Sequence, residues 1–305
     1  MKPKEIADHL IQNRKATRTR RGQVCPVCGH FDNHCLRMDD DSAALCPKAD
    51  GTGSVKKYGE YGYLYILSPG LQSNDACLPP VKRKPERTDQ EMDDLWRPRV
   101  KLWCDRGRSE IGRLAMALGV STDSLRHLGA GWDGKAWTFP ERNGGGLIVG
   151  VSRRFEDGSK RCAVGSRRGL TYGDGWRAAA GPVLIVEGAS DVAAGITLGL
   201  SVAGRPSNVG GLTMLVGLLG NQQSKILVIG ERDRKPDGRW PGMAGSHSIA
   251  AGLGKALRRT VSSRLMPDGA KDLRAWLNGR GIDVSDCEAC REAGMYLVTE
   301  FKKER

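Results

Sequence analysis

The chain lacks an apolar run long enough to span a membrane, and no secretory signal is recognisable at its N-terminus. From these absences we expect a cytoplasmic protein. A membrane surface is disfavoured as a partner because no amphipathic basic helix with a broad apolar face stands out, so we expect no membrane partner. The phosphate-binding sequence G-x-x-x-x-G-K-[ST] does not occur anywhere in the 305 residues, which excludes a helicase or ATPase of the P-loop class.

Acidic residues are also scarce relative to basic ones. The chain has 35 Asp and Glu against 48 Lys and Arg, and its formal net charge is +13. The basic residues concentrate in three stretches, 14–21, 82–87 and 153–177. Several acids lie elsewhere, at the ends of two apolar runs that predict the edge of a sheet. A separated basic surface of this kind favours a polyanionic partner, and nucleic acid is the common one.

Nine cysteines are present, and in a reducing compartment they indicate metal ligands or free thiols instead of disulfides. Four of them follow the spacing C-x2-C-x6-C-x10-C, in which a tight knuckle and a following hairpin can enclose one Zn²⁺ tetrahedrally. The four are Cys25, Cys28, Cys35 and Cys46. Two alternatives remain open from the spacing alone. His30 or His34 could replace Cys35, or the four cysteines could be unrelated free thiols.

Two apolar runs end abruptly in acids. Residues 183–186 run into Glu187 and a glycine, and residues 225–229 run into a glycine followed by Glu231 and Asp233. Neighbouring parallel strands would bring these acids to one edge of a sheet, where open α/β sheets place their ligand sites. Crowded carboxylates need a cation, and oxygen ligands suit Mg²⁺ or Mn²⁺. The candidate magnesium ligands are Glu187, Asp191, Glu231, Asp233 and Asp237, although Asp191 could also be an ordinary first-turn helix acid.

Between residues 131 and 173 the pattern changes to short strands separated by glycine-rich turns, which predicts a curved antiparallel sheet with a basic face. The candidate phosphate-binding residues there are Arg153, Arg154, Lys160, Arg161, Arg167 and Arg168. The alternative is an ordinary β-subdomain whose exposed side chains are polar without binding a ligand. Lys271 could also reach a phosphate, or it could simply precede a helix that Asp272 caps. Before this sheet, residues 111–128 predict a helix-turn-helix, either a packing unit or a reader of the major groove.

Three segments resemble parts of one family. The acidic strand ends resemble the toprim domain shared by bacterial and phage primases, topoisomerases and some nucleases. Residues 25–46 resemble the zinc ribbon at the N-terminus of primases and of related phage and mobile-element proteins. The order Phe139-Pro140, residues 146–153, Lys160, Gly165-Ser166 and Gly169-Leu170 resembles the basic half of the bacterial primase core.

The resemblance implies an α/β protein in which the toprim domain, a small parallel sheet with flanking helices, follows a basic α+β subdomain and a zinc ribbon. The expected divisions are a zinc-ribbon domain at 1–77, a linker at 78–92, a helical and basic β subdomain at 93–180, a toprim domain at 181–282 and a tail at 283–305. Glu231 stands where the family usually has aspartate.

The function that the resemblance implies is a DNA-directed RNA primase, a nucleotidyltransferase that uses two-metal-type phosphoryl transfer. Its catalytic residues would be Glu187, Glu231 and Asp233, its cofactors Zn²⁺ and Mg²⁺ or Mn²⁺, and its partners a single-stranded DNA template, nucleoside triphosphates and a separate replicative helicase.

Two other functions are compatible with the same motifs. A toprim nuclease would use the same metal edge with water as the nucleophile. A zinc-plus-toprim recombination mediator would bind nucleic acid without catalysis, although the basic segment and the full acidic set count against it. A topoisomerase is disfavoured because the chain is too short and shows no tyrosine nucleophile domain.

Overall fold

The computed structural model describes most of the chain beyond residue 86 and parts of the chain before it. The described residues are 16–19, 23–30, 34–38, 43–49, 54, 56–57, 62–67, 87–176 and 181–303. The chain divides into two compact units, Met1–Glu86 and Arg87–Arg305. Most of the basic stretches at 14–21 and 82–87, and residues 78–86 of the predicted linker, lie outside the described residues. No helix in the described part of the chain is long and apolar enough to cross a membrane.

Within the first unit, five short strands form one antiparallel sheet in the order β1-β2-β3-β5-β4. They are β1 (Ala16–Arg18), β2 (Leu36–Met38), β3 (Ala43–Cys46), β4 (Lys56–Lys57) and β5 (Tyr63–Ile66). Gly62 precedes β5 with φ +92°, and a Cβ there would lie 2.3 Å from the carbonyl oxygen of Cys46. Only glycine allows that approach. The core consists mainly of four buried cysteines and Tyr65, which is small for an independent unit.

The second unit begins with three helices, α1 (Asp89–Gly107), α2 (Ile111–Leu118) and α3 (Thr122–His127). A capping box between Thr88 and Glu91 starts α1, so the last residues of the predicted linker are helical. The predicted helix-turn-helix is confirmed: Gly119, with φ 65°, ends α2, and the Ser121 hydroxyl accepts a hydrogen bond from the Ser124 amide at the start of α3.

Four antiparallel strands follow in the order β6-β7-β8-β9, as the glycine-rich pattern predicts. They are β6 (Gly131–Trp132), β7 (Trp137–Arg142), β8 (Ile148–Arg154) and β9 (Lys160–Cys162). The first half of β8 is buried against α1, where Trp96 packs with Ile148 and Val151. Its last three residues are only half-buried, so the basic end of β8 and all of β9 face away from that core.

The parallel sheet has the order β11-β10-β12-β13. Its strands are β10 (Val183–Glu187), β11 (Val202–Arg205), β12 (Ile226–Gly230) and β13 (Val261–Leu265), and the helices that alternate with them are α4 (Ala189–Thr197), α5 (Leu212–Leu219), α6 (Pro241–Leu257) and α7 (Leu273–Gly279). Leu184 and Val186 enter one core cluster, and Val183 and Ile185 enter the other. Both faces of β10 are therefore covered, which is why the strand is a continuous apolar run.

β11 continues through Arg205 because it pairs with β10 up to Glu187. The expected tail contains a long helix, α8 (Cys287–Lys303), which buries Cys290, Gly294, Leu297 and Phe301. These residues recur at helical spacing and form one apolar face, so the helix belongs to the core.

Candidate metal centre and basic cleft

The acidic edge of the parallel sheet is built by two adjacent strands. β10 and β12 pair in parallel with Val183 opposite Ile226, so both strands end on the same side. Glu187 is the last residue of β10, and Glu231 follows β12 immediately. Gly188, with φ 79°, turns the chain from β10 into α4 and places Asp191 in the first helical turn. The structure therefore brings these acids to one edge.

Three carboxylates at this edge could share one ion. Oxygen atoms of Asp191, Glu231 and Asp272 all lie within 4.8 Å of one another. Asp191 also accepts a hydrogen bond from the backbone amide of Arg274 at 3.1 Å, and Asp272 accepts one from the amide of Ala275 at 2.7 Å. The first bond fastens the start of α7 to α4, and the second caps α7. We call this set the acidic cluster. Its hard oxygen donors fit Mg²⁺ or Mn²⁺.

The electrostatics of the acidic cluster favour a bound cation. Burial, reinforced by the nearby Asp272, raises the pKa of Asp191 from its ordinary 3.8 to about 8. Burial and the nearby Glu187 also raise the pKa of Glu231. Without a cation, the ionised forms are therefore destabilised by lost hydration and mutual repulsion. A divalent ion would remove both penalties.

Two built-in cations already lie next to this edge. The Arg205 side chain is completely buried, its Nη2 lies 3.9 Å from Oε2 of Glu187, and the same nitrogen donates to the carbonyl of Ile229 at 3.0 Å. Burial lowers the pKa of Arg205. The amine of Lys271 lies 3.9 Å from both Oε2 of Glu231 and Oδ2 of Asp272.

Three predicted magnesium ligands, Glu187, Asp233 and Asp237, are not members of the acidic cluster. Asp233 accepts a hydrogen bond from the amide of Gly242 at 2.7 Å, at the start of α6, and its other oxygen lies 3.7 Å from the amine of Lys235. Asp237 is on an exposed loop and pairs with Arg239 at 2.6 Å. The hydrogen-bond partners of Asp233 and Asp237 are within the loop and helix that follow β12. Asp272, which the sequence suggests only as a helix cap, is that cap and also joins the acidic cluster.

A cavity of about 100 Å³ lies next to the turn at Gly188. Gly188, Ala189 and Ser190 form part of its wall, and the basic residues that also line it are Arg153, Arg154, Lys160, Arg161 and Arg168. We call this cavity the basic cleft. Because Ser190 directly precedes Asp191, one helical turn borders both the basic cleft and the acidic cluster.

The basic residues differ in how free they are to bind a ligand. Arg153 is paired with Asp133 at 2.6 Å, and Arg153 and Arg161 both lie over the Phe155 ring, at 4.9 and 5.7 Å. No ion pair within 4 Å involves Arg154 or Lys160 among the described residues. Burial, together with the nearby Arg274, lowers the pKa of Arg154. An anion in the cleft would relieve the repulsion between Arg154 and Arg274.

The other two predicted phosphate ligands are held by acids. Arg167 is paired with Asp89 and lies outside the residues that line the cleft. Arg168 donates through Nε to Glu141 at 3.0 Å, and the Gly169 amide donates to the same carboxylate at 2.7 Å. Glu141 is only 2% exposed, and burial raises its pKa. Sequence reasoning missed Glu141, because an acid in a strand carries no sign of a buried partner.

In the first unit the four predicted zinc ligands come together. The sulfur of Cys35 lies 3.6 Å from those of Cys28 and Cys46, and all four sulfurs lie within 4.8 Å of one another. A tetrahedral site with Zn–S bonds of about 2.3 Å needs sulfurs about 3.8 Å apart, so this cluster fits zinc. Hydrogen bonds from the thiols of Cys35 and Cys46 lower the pKa of Cys25 to about 2. His30 bonds the Cys28 carbonyl through Nδ1 and is not needed as a ligand.

No protein-family model matches the chain, and no curated protein does. Solved structures do resemble it. The DnaG catalytic core is 15% identical with a TM-score of 0.49, covering 66% of this chain and 79% of that one. The structural neighbours of this chain are bacterial and phage primases. The DnaG primase catalytic domain bound to ssDNA is 16% identical, with a TM-score of 0.48 over 67% of this chain and 81% of that one.

The zinc-binding and RNA polymerase domains of the Aquifex aeolicus primase are 14% identical, with a TM-score of 0.48 over 95% of this chain and 83% of that one. The predicted fold class is confirmed by the elements themselves: a parallel sheet with flanking helices, a preceding antiparallel sheet and an N-terminal cysteine cluster. At these identities the likeness is one of fold, and the chemistry rests on the residues of this chain.

Proposed function

We propose that this protein is a primase, a nucleotidyltransferase that makes short RNA primers on single-stranded DNA by two-metal-type phosphoryl transfer. One observation carries the proposal: the turn from Gly188 to Asp191 borders the acidic cluster on one side and the basic cleft on the other. A site that transfers a nucleotidyl group from a triphosphate to a hydroxyl, with release of pyrophosphate, needs both features within the span of a few phosphates, because it must hold anions next to a metal.

The residues divide this work between them. A divalent ion held by Asp191, Glu231 and Asp272 would act as a Lewis acid on phosphoryl oxygens. Glu187, the last residue of β10, reinforces by its charge the effect of burial that raises the pKa of Glu231, and it would orient the attacking hydroxyl or a further ligand. The guanidinium groups of Arg154 and Arg161 would hold phosphates of the template or the nucleotide in the basic cleft.

Asp233, Arg153, Lys160, Arg168 and Lys271 complete the proposed set. Asp233 orders the start of α6 beside the edge, and Arg168 is oriented by Glu141 toward the loop after β11, where it donates to the Pro206 carbonyl. The cysteine unit would contact single-stranded template. Nucleoside triphosphates are the proposed substrates, and a replicative helicase is a proposed partner.

The direct test is primer synthesis by the purified chain. We expect short labelled products when single-stranded template, labelled nucleoside triphosphates and Mg²⁺ or Mn²⁺ are combined, and none when the divalent ion is left out. Products separated on a gel distinguish the alternatives. Shortening of the template instead of new products would indicate a nuclease, and a mobility shift without either would indicate a binding protein; both results contradict a primase.

Binding of single-stranded DNA should depend on the basic cleft and on salt. Each phosphate contact releases counterions, so the logarithm of affinity should fall with the logarithm of salt by about 0.7 for every contact on a single strand. Replacing Arg154, Lys160 and Arg161 together by alanine should lower that slope by about 2. Fluorescence anisotropy with a labelled oligonucleotide measures it.

The matched control replaces Arg108, Arg126 and Lys303, three cations that pair with acids on helices away from the cleft. It removes the same charge, and its slope should stay close to that of the wild type. An equal drop in both triple variants would mean that net charge, and not the cleft, governs binding.

A further inference from the structure

We propose that Lys271 is a tethered cation that occupies the acidic cluster until a divalent ion enters, and that its amine then moves to the phosphates of the substrate. This inference rests on the proposed function only in taking the acidic cluster as the metal site. It assigns Lys271 a role in coupling metal binding to substrate binding, beyond contact with a phosphate.

The position of the amine is the first evidence. Lys271 Nζ lies 3.9 Å from an oxygen of Glu231 and 3.9 Å from an oxygen of Asp272, so it bridges two of the three carboxylates that could hold an ion. Among the described residues, no other side-chain cation lies within 4 Å of the acidic cluster. Both distances exceed hydrogen-bond length, so charge attraction alone holds the amine there.

The second evidence is that this cation can leave while its backbone stays. The Lys271 side chain is 61% exposed, whereas the backbone carbonyl of Lys271 accepts a hydrogen bond from the Arg232 amide at 2.8 Å. The next residue, Asp272, caps α7. A flexible four-carbon stem on a fixed backbone lets the ammonium group swing without disturbing the carboxylates.

Arg205 provides the contrast within the same edge. Its guanidinium is completely buried beside Glu187 and donates to the Ile229 carbonyl at 3.0 Å, so it cannot leave without breaking the end of the sheet. The edge therefore has a fixed cation in Arg205 and a movable one in Lys271. Only the movable one contacts the acidic cluster.

Exchange of the Lys271 ammonium group for a divalent ion follows from ligand geometry. A divalent ion binds carboxylate oxygens at about 2.0–2.6 Å, and its charge repels an ammonium held by the same oxygens. Metal entry therefore releases Lys271 next to the bound ion, where the nearest available anion is the polyphosphate of a substrate. Because binding free energies are linked, nucleotide should tighten metal binding by the same factor by which metal tightens nucleotide binding.

The test measures Mn²⁺ binding directly, with the full zinc-loaded chain and a non-hydrolysable nucleoside triphosphate. Electron paramagnetic resonance of free Mn²⁺ gives the dissociation constant with and without nucleotide. For Lys271→Met we expect Mn²⁺ alone to bind about fivefold tighter or more, and the mutual tightening with nucleotide to shrink by about the same factor. Lys271→Arg, which keeps the charge, should stay nearer to the wild type.

Lys235→Met is the matched control, because Lys235 is also exposed and pairs with a nearby acid, Asp233, at 3.7 Å. It should change Mn²⁺ affinity less than Lys271→Met does. Unchanged or weaker Mn²⁺ binding by Lys271→Met would overturn the proposal, and so would an equal gain in both variants, which would show a general charge effect.

A further variant separates this inference from the proposed function. If Asp191→Asn binds Mn²⁺ as well as the wild type does, the acidic cluster is not the metal site and both proposals fail. If Asp191→Asn loses Mn²⁺ but Lys271→Met binds it unchanged, the metal site stands and only the exchange is wrong.

Discussion

Replacing Asp191 by asparagine is expected to stabilise the protein in buffer without added divalent ions and to reduce primer synthesis more than a hundredfold. Asp191 is 3% exposed, and two other carboxylates surround it. Asparagine keeps an oxygen that can accept the Arg274 amide but removes the buried charge. The same change removes a proposed metal ligand, and several kcal/mol of lost metal stabilisation corresponds to two or more factors of ten in rate.

The gain in stability should depend on pH in a defined direction. The pKa of Asp191 is raised from 3.8 to about 8, so the folded protein holds a proton that the unfolded chain releases. Wild-type stability must therefore fall as pH rises from about 4 to about 8, and it levels off above that range. The asparagine variant lacks this loss, and at pH 8 its advantage should be on the order of a few kcal/mol.

Urea unfolding followed by tryptophan fluorescence measures this difference between pH 5 and pH 8. All seven tryptophans lie at residue 96 or beyond, so the signal reports the second unit alone. Asp123→Asn is the control, because that acid is 84% exposed on α3 and should change neither stability nor synthesis appreciably. If the asparagine variant is no more stable than the wild type at pH 8, then a buried negative charge on Asp191 does not destabilise the fold.

Much of the second unit follows from the sequence because its strands are buried on both faces. A run such as residues 183–186 is apolar throughout only if helices cover both sides of it, and the acids at its end must then lie on the sheet edge. α8 was harder to predict, because its few apolar residues are spread among charged ones, and its packing on α4 shows that it belongs to the core.

The candidate site was predictable where a motif marks it and not where distant residues meet. Glu187 and Glu231 follow apolar runs and are visible in the sequence. Arg205 and Glu141 are ordinary charged residues in strands, and nothing local shows that one lies buried beside Glu187 and the other beneath Arg168. Asp272 has a sufficient local explanation as a helix cap, which hides its second role in the acidic cluster.

The first unit should depend on zinc, and Cys35→Ser is expected to abolish its fold. Cys35 is completely buried, and its sulfur is 3.6 Å from those of Cys28 and Cys46. The remaining core offers little besides Tyr65 and a few small residues. Structural zinc supplies about 10–16 kcal/mol in zinc-finger peptides, which is more than such a core can replace.

Elemental analysis of the purified chain should find one zinc per molecule, and the Cys35→Ser variant should have lost it. Cys287→Ser is the matched control, since that thiol is exposed at the start of α8 and lies outside the cysteine cluster. It should keep its zinc. Retention of a full zinc equivalent by Cys35→Ser would exclude the four-cysteine site.

The positions of the aromatic residues allow the effect of zinc loss on the first unit to be measured separately from its effect on the second. Four of the six tyrosines lie between residues 58 and 65, whereas every tryptophan belongs to Arg87–Arg305. Loss of zinc should therefore expose the first unit to protease while tryptophan emission and its urea midpoint stay unchanged. A shifted tryptophan midpoint would mean that the second unit draws stability from the first. The pH dependence predicted for Asp191 would then have to be measured with zinc bound.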